Sequence, residues 1–404
     1  MSLFNSSKKP ARFLTVDIGS NLVKCMVFEV DPEQNSKIVN VIGEGAESLP
    51  MGATRGGVIV HPEEVEDALK MALNKATEDL DHKVKDVIFG VSGDLALGLM
   101  TTVKIVRGKN DAVSEKELNK VYDKIYQASL DEASTQLYEY TGNSDVDLEI
   151  VTSSMVYTKL DEKLVSNPVG MEASKMEIAF YACFCPSFHI QSLQNLAKAL
   201  GLNIIAIGSQ MYAAAKALQL SSSEVLDCAL MDIGGEQTDV AIVFGGGIVA
   251  TRSLPIGGNH FTSEISKKMN IPFADAEKVK QEYSFGNLSE SENMVLQDSI
   301  VPIMETWLSG VELLFTEFTG VKTFASKIFL IGGGAELPDI EEFIAKEPWT
   351  RSIPFKSPPE FSKLSLADLS HIVDKTGSLQ SMSDLLPASL SIIYLELNGF
   401  LDER

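Results

Sequence analysis

Three short loops carry the residue types that handle phosphate. "VDIGSN" places Asp17 before Gly19 and Ser20, "DIGGEQTD" places Asp232 before Gly234, Gly235 and Thr238, and "IGGGAE" sets Gly332, Gly333 and Gly334 in a row. Each follows an apolar stretch, "RFLTV", "CALM" and "KIFL", as a turn after a buried strand does. Glycines there let backbone N–H groups approach phosphate oxygens and take φ > 0 without steric cost. Successive N–H groups form an anion nest. An acid beside a nest is repelled by phosphate alone, but fits when Mg2+ stands between them, held through water. Asp17, Gly19 and Ser20, with Asp232, Gly234, Gly235 and Thr238, read as two phosphate hairpins around one Mg2+–nucleotide. Gly332 to Gly334, leading to a helix near Leu337 and Pro338, fit the adenosine side or an α-phosphate. The chain has no G-x-x-x-x-G-K-[ST] loop and no G-x-G-x-x-G after its first strand, which removes the P-loop and Rossmann readings.

Glu236 is the odd residue, a carboxylate inside an anion loop. Counted from the Asp to the closing Val-Phe, the second turn reads one residue longer than the first. Gly234 and Gly235 supply the nest without Glu236, so its carboxylate is expected to point to solvent or to a basic partner. Pointing inward, it would repel the phosphates of a nucleotide. Two more segments have two readings each. "PFADAEKVK", with Pro272 near a helix start, puts Glu277 and Lys280 on one face, either to hold ribose and base or as a solvated charged face. Gln210, before a helix of small residues, either orients an attacking water or is a polar helix-entry residue.

The elements that must position these loops alternate between strand and helix. "RFLTVD", "LVKCMVFEV" and "KIVNVIGEG" read as strands, followed by a helix from about Pro62 with Val65, Ala68, Leu69, Ala72 and Ala76 on one face. Residues 84–162 change texture: two strands, a helix opened by a capping box of Ser114 and Glu117, and a strand, which read as an inserted α/β unit. Then come the strand "KMEIAFYACFC", a helix with Ser187 capping its start and Gly201 stopping its end, the strand "LNIIAI" and the helix "QMYAAAKAL". "FLTVDIGSNLVKCMVF" and "ALMDIGGEQTDVAIVF" repeat one theme, strand, acid, Ile-Gly turn and strand, which implies two related domains facing each other.

Composition narrows the function. The 404 residues carry a net charge of −22 and 45% hydrophobic residues, a globular chain large enough for two or three cores. Such acidity argues against nucleic acid and against adsorption to anionic lipid. No apolar run reaches the ~18–20 residues of a membrane helix. "MSLFNSSKKPARFL" has no signal-peptide core, and the four cysteines, Cys25, Cys183, Cys185 and Cys228, are scattered, so a cytoplasmic location is expected. "CFC" is either half a metal site or, on a strand, two sulfurs facing one core.

These residues resemble the actin-like ATPase superfamily, and within it the bacterial cell-division family FtsA over nearly the whole chain. "VDIGSNLVKCMV" is similar to the first phosphate motif, "GGVIVHPEEVEDAL" to the segment before the insert, and "VIFGVSGD" to the opening of the FtsA-type insert. "LDEKLVSNPVGMEASKMEI" resembles the return from it, "MDIGGEQTDVAIVFGGGIVATRSLPIGGNHFTSEIS" the second phosphate region, "ADAEKVK" the ribose helix and "FLIGGGAEL" the adenosine motif.

The resemblance implies an actin-like (ribonuclease-H-like), duplicated two-domain α/β ATPase fold. Its parts would be domain I at 1–83 and 163–210, the insert at 84–162, and domain II at 211–404, with an upper helical part at about 258–325. It implies ATP and Mg2+ in the cleft. Asp17 and Asp232 would hold the metal through water. Gly19, Ser20, Gly235 and Thr238 would hold phosphates, Glu277 and Lys280 would face ribose and base, and Gly333 and Gly334 the adenosine. Gln210 stands where many relatives have Glu, which implies slow hydrolysis and ATP acting as a conformational and polymerisation ligand.

The implied partners are other copies in a filament, the C-terminal peptide of FtsZ and other division proteins, on the inner face of the membrane at the division site. Two departures bear on this. The end "LSIIYLELNGFLDER" is neither basic nor strongly amphipathic, and Lys8, Lys9 and Arg12 are too few to anchor the chain, so membrane contact is expected to be indirect or through a missing tail. Thr306 in "VPIMETWLSGVELLF" stands where the family has a partner-binding Arg. The alternatives are a PilM-like cytoplasmic adaptor of a type IV pilus platform, or a superfamily kinase, against which stands the lack of an Asp set as general base.

Overall fold

The computed structural model describes residues 10–30, 37–318, 320–346 and 348–401. Lys8 and Lys9 lie outside them, and Arg12 pairs with Glu29 at 2.8 Å. The chain begins with strands β1 (Ala11–Ile18), β2 (Leu22–Val30) and β3 (Val39–Ser48), the small hairpin β4 (Thr54–Arg55) and β5 (Val58–Ile59), helix α1 (Pro62–Thr77) and strand β6 (Asp86–Val91). Next come β7 (Leu97–Ala112), α2 (Glu115–Thr141), β8 (Leu148–Leu160), β9 (Lys163–Leu164) and β10 (Glu172–Pro186), then α3 (Ser187–Leu200), β11 (Asn203–Ser209) and α4 (Gln210–Ser221). The second half has β12 (Cys228–Ile233), β13 (Thr238–Phe244), β14 (Gly247–Leu254), α5 (Gly258–Met269), α6 (Phe273–Ser284), α7 (Glu290–Thr316), β15 (Lys327–Ile331), α8 (Ile340–Lys346), β16 (Glu360–Lys363), β17 (Ile372–Asp374), α9 (Leu385–Ser389) and α10 (Ser391–Leu397).

The two halves share one sheet plan. The first sheet runs β11-β6-β1-β2-β3-β17, and the second contains β16-β15-β12-β13-β14. In each, an antiparallel three-strand meander is followed by two parallel strands beside its first strand. The central strands β1, β2, β12 and β13 are apolar runs rather than alternating ones, as strands buried on both faces are. The predicted face of α1 is buried at all five positions. Gly43 and Gly45 of β3 let that helix lie close: an added Cβ would come 2.0 Å from Ala76 O and 2.1 Å from Ala72 O.

Three expectations change. Residues 84–162 include β6, but β6 pairs with β1 and β11 in the first sheet, as its buried "VIF" requires. The strands from β7 to β10 instead extend the second sheet beyond β14, with α2 on one side; Ala250 pairs with Leu99 at the join. Residues 211–404 include β17, α9 and α10, yet β17 pairs with β3, and Leu386, Ala388, Leu390 and Ile392 belong to the first core. Ser187 is the first helical residue of α3 and Pro186 its N-cap, whereas Gly201 ends that helix at φ 66° as predicted. Ser114 does cap α2. Cys183 and Cys185 are both fully buried in cores, with burial pushing the Cys183 thiol up to about 12.

Candidate functional site

The two hairpins match residue for residue. Asp17 stands opposite Lys24 and Ile18 opposite Val23; Asp232 stands opposite Asp239 and Ile233 opposite Thr238. Gly19 N donates to Leu22 O at 2.9 Å, and Gly234 N donates to Gln237 O at 2.9 Å. The second turn is therefore not longer than the first. The extra residue before Val-Phe falls along the strands, where a bulge lies between Ile242 and Val243. The turns meet across the cleft: a Cβ on Gly235 would lie 3.2 Å from Ser20 Cβ and 3.2 Å from Asn21 Nδ2.

Behind the turns the strand ends bring acids together. Gln210, the first residue of α4, donates from Nε2 to Asp17 Oδ1 at 2.6 Å, so the amide and the acid act as a pair. Burial raises the Asp17 pKa, while Gln210 and Lys24 pull it back. Burial, then Asp239, then Asp17 push Asp232 well above the usual carboxylate range. Asp239 is pushed up to about 6, first by burial and against hydrogen bonds from Ser253 and Gly93. Lys24 is bound elsewhere, at 2.5 Å from both Asp384 Oδ1 and Ser383 Oγ.

The triple-glycine loop closes over Asp232. Gly332 has φ 84°, and a Cβ there would lie 2.1 Å from Asp232 Oδ1; one on Gly334 would lie 2.4 Å from Ile233 Cγ2. Gly333 faces Ser383, and a 3-10 turn over Gly333–Glu336 precedes α8. Glu277 and Lys280 pair at 2.8 Å on α6, and Lys280 Nζ also donates to Thr262 Oγ1 at 2.7 Å and Gly258 O at 3.1 Å. Burial lowers the Lys280 pKa, with Glu277 opposing. This is no solvated face: Lys280 is buried beside Gly258, whose Cβ would come 4.0 Å from Gly334 Cα.

Thr238 is not brought to the cleft. Its side chain is fully buried, donating to Ile256 O at 2.7 Å and accepting from Trp307 Nε1 at 2.9 Å. Strand alternation is the reason: Asp239 takes the cleft side and Thr238 the core side. Glu236 is half-buried and held by backbone: Oε2 accepts from Gly56 N, in the turn between β4 and β5, at 2.7 Å.

The arrangement fits a hydrated divalent cation. Asp17, Asp232 and Asp239 leave excess negative charge at the strand ends, since Lys24 is paired with Asp384. Among the described residues no three His, Cys, Asp or Glu converge as direct metal ligands. Sequence reasoning passed over four features. Lys24 lies seven residues after Asp17, directly across the hairpin. Asp239 closes the second motif. Asn21 and Asn259 exchange reciprocal amide hydrogen bonds of 2.7 and 2.8 Å between the halves. "SLPMG" and "SLPIG" after the two meanders mark the duplication again, a signal visible in the sequence.

Comparison with known proteins bears on the fold and the relatives of the chain. The family model described as cell division protein FtsA matches residues 229–368, and that described as MreB/Mbl protein matches residues 151–298. Cell division protein FtsA of Neisseria meningitidis is 27% identical over 273 residues, 67% of this chain and 61% of that protein. FtsA of Helicobacter pylori is 24% identical over 327 residues, 76% of this chain and 63% of that protein. The chain thus spans less than two thirds of the length of these relatives. The solved PilM–PilN type IV pilus biogenesis complex superposes with a TM-score of 0.63 at 16% identity, covering 96% of this chain and 99% of that one. The chain is FtsA-like and has the actin-like ATPase fold.

Proposed function

We propose that this FtsA-like chain is an ATP-binding scaffold of bacterial cell division. The observation that carries this is the pair of register-matched hairpins with Asp17 and Asp232 at one cleft, under the Gly332–Gly334 loop. ATP would lie with its phosphates at Gly19, Ser20, Gly234 and Gly235, and its adenosine toward Gly333, Gly334, Glu277 and Lys280. Asp17 and Asp232 would hold Mg2+ through water, and Mg2+ would supply charge neutralisation of the phosphates. Gln210 is held against Asp17, where its amide positions a water without accepting a proton, which supports slow hydrolysis.

In this reading ATP sets the conformation and the polymerisation of the protein, which links FtsZ to the inner face of the membrane as a peripheral, cytoplasmic component. Thr306 is exposed on α7 and donates to Pro302 O at 3.0 Å, offering the FtsZ C-terminal peptide a hydroxyl and no charge. A weak peptide contact is therefore expected. The test combines calorimetric titration with ATP, with and without Mg2+, and pelleting on vesicles with and without ATP and FtsZ peptide. ATP-dependent pelleting supports the reading, and a folded sample that takes no nucleotide removes it.

A second reading is a PilM-like adaptor, favoured by the end-to-end coverage of the PilM–PilN structure. Capture of a short N-terminal peptide of a pilus membrane protein, without ATP-dependent pelleting, would select it.

A further inference from the structure

The second hairpin reaches across the cleft with contacts from Glu236, Gln237 and Asp239. Glu236 Oε2 accepts from Gly56 N at 2.7 Å, Gln237 Nε2 donates to Asp94 Oδ2 at 3.2 Å, and Asp239 Oδ2 accepts from Gly93 N at 2.9 Å. The receiving turns are shaped for it. Gly56 and Gly93 have φ of 55° and 63°, which glycine adopts without strain. A Cβ on Gly93 would lie 2.1 Å from Gln237 Oε1, so only glycine lets that amide seat. The first hairpin returns the contact: Asn21, at the turn position equivalent to Glu236, bonds Asn259 on the second half. Asn259 follows "SLPIG" and Gly56 follows "SLPMG", so each turn grips the same duplicated segment of the opposite half.

We propose that Glu236 is an interlobe latch: its carboxylate, seated on the Gly56 amide, holds the cleft closed without ligand, and nucleotide exchange requires this contact to break. The exchange clause rests on the nucleotide site proposed above; closure itself does not. A hydrogen bond to a carboxylate is among the stronger ones, so its loss is expected to speed opening about tenfold or more.

The experiment compares wild type, Glu236→Ala and Glu236→Gln in the full chain, each checked for fold by circular dichroism. Spin labels at exposed Lys70 on α1 and Lys268 on α5 read the interlobe distance without nucleotide, and release of a fluorescent ATP analogue reads exchange. The latch predicts one narrow distance in wild type, a broader and longer distribution with about tenfold faster release in Glu236→Ala, and partial retention in Glu236→Gln, which keeps an acceptor oxygen. Unchanged distances in Glu236→Ala overturn the latch. Shifted distances with no analogue bound to any variant keep the latch and remove the nucleotide site. Shifted distances with unchanged release overturn the exchange clause.

Discussion

The two hairpins share a register and differ in charge. At one position the first carries Lys24 opposite Asp17, and the second carries Asp239 opposite Asp232. The first has its cation balanced by Asp384, in the C-terminal segment that packs on its sheet. The second is an uncompensated pair of acids, and burial makes that charge costly. Duplication thus preserved the backbone and changed the charge: the first half ties its cation to Asp384, and the second sets Asp239 opposite Asp232. At the turn the division recurs, with neutral Asn21 meeting Asn259 and charged Glu236 meeting a backbone amide.

Breaking the balanced half is expected to have the largest effect on stability. Lys24→Met leaves Asp384 buried without its cation and should cost about 3–5 kcal/mol by denaturant unfolding. A cost under about 1 kcal/mol would mean that the first hairpin does not depend on this pair.

The acidic half should respond with the opposite sign. Burial raises the folded pKa of Asp239 from the usual carboxylate range to about 6, so the folded state binds the proton more tightly than the unfolded state. Its contribution favours folding at low pH and is lost as pH rises from about 4 through about 6, by about 2–3 kcal/mol. Asp239→Asn should flatten that part of the stability profile and stabilise the ligand-free protein at pH 7. An unchanged profile would remove Asp239 from the charge excess.

Thr238→Val strips Trp307 Nε1 of its acceptor and should cost about 1–2 kcal/mol while leaving ATP affinity unchanged. A fall in affinity with intact stability would return Thr238 to the phosphates. The smallest effects test the turns themselves. A Cβ on Gly19 would sit 3.1 Å from Leu22 O and one on Gly234 3.2 Å from Gln237 O, so Gly19→Ala and Gly234→Ala should each cost about 1 kcal/mol. A clear inequality in thermal unfolding would break the equivalence of the turns.

Much of this was legible locally. The strands, the α1 face and the three glycine loops follow from apolar runs, period 3.6 and turn chemistry, each written within a few adjacent residues. What escaped depends on pairing. Lys24 reads as an ordinary strand residue until the register sets it opposite Asp17. Thr238 belongs to the motif by position, but strand alternation gives the cleft to Asp239. The membership of β6, β17, α9 and α10 in the first half rests on contacts with residues far along the chain. Glu236 looked misplaced because its partner, the Gly56 amide, lies 180 residues away.

The central proposal is that Asp17 and Asp232, one from each hairpin, hold the metal of a bound nucleotide through water. Calorimetric titration of ATP into wild type and Asp232→Ala, each with Mg2+ and with EDTA, tests it most directly. The account predicts that Mg2+ tightens ATP binding to wild type about tenfold or more, and that Asp232→Ala loses this Mg2+ dependence while keeping its fold. Equal Mg2+-dependent affinity in the two proteins would contradict it.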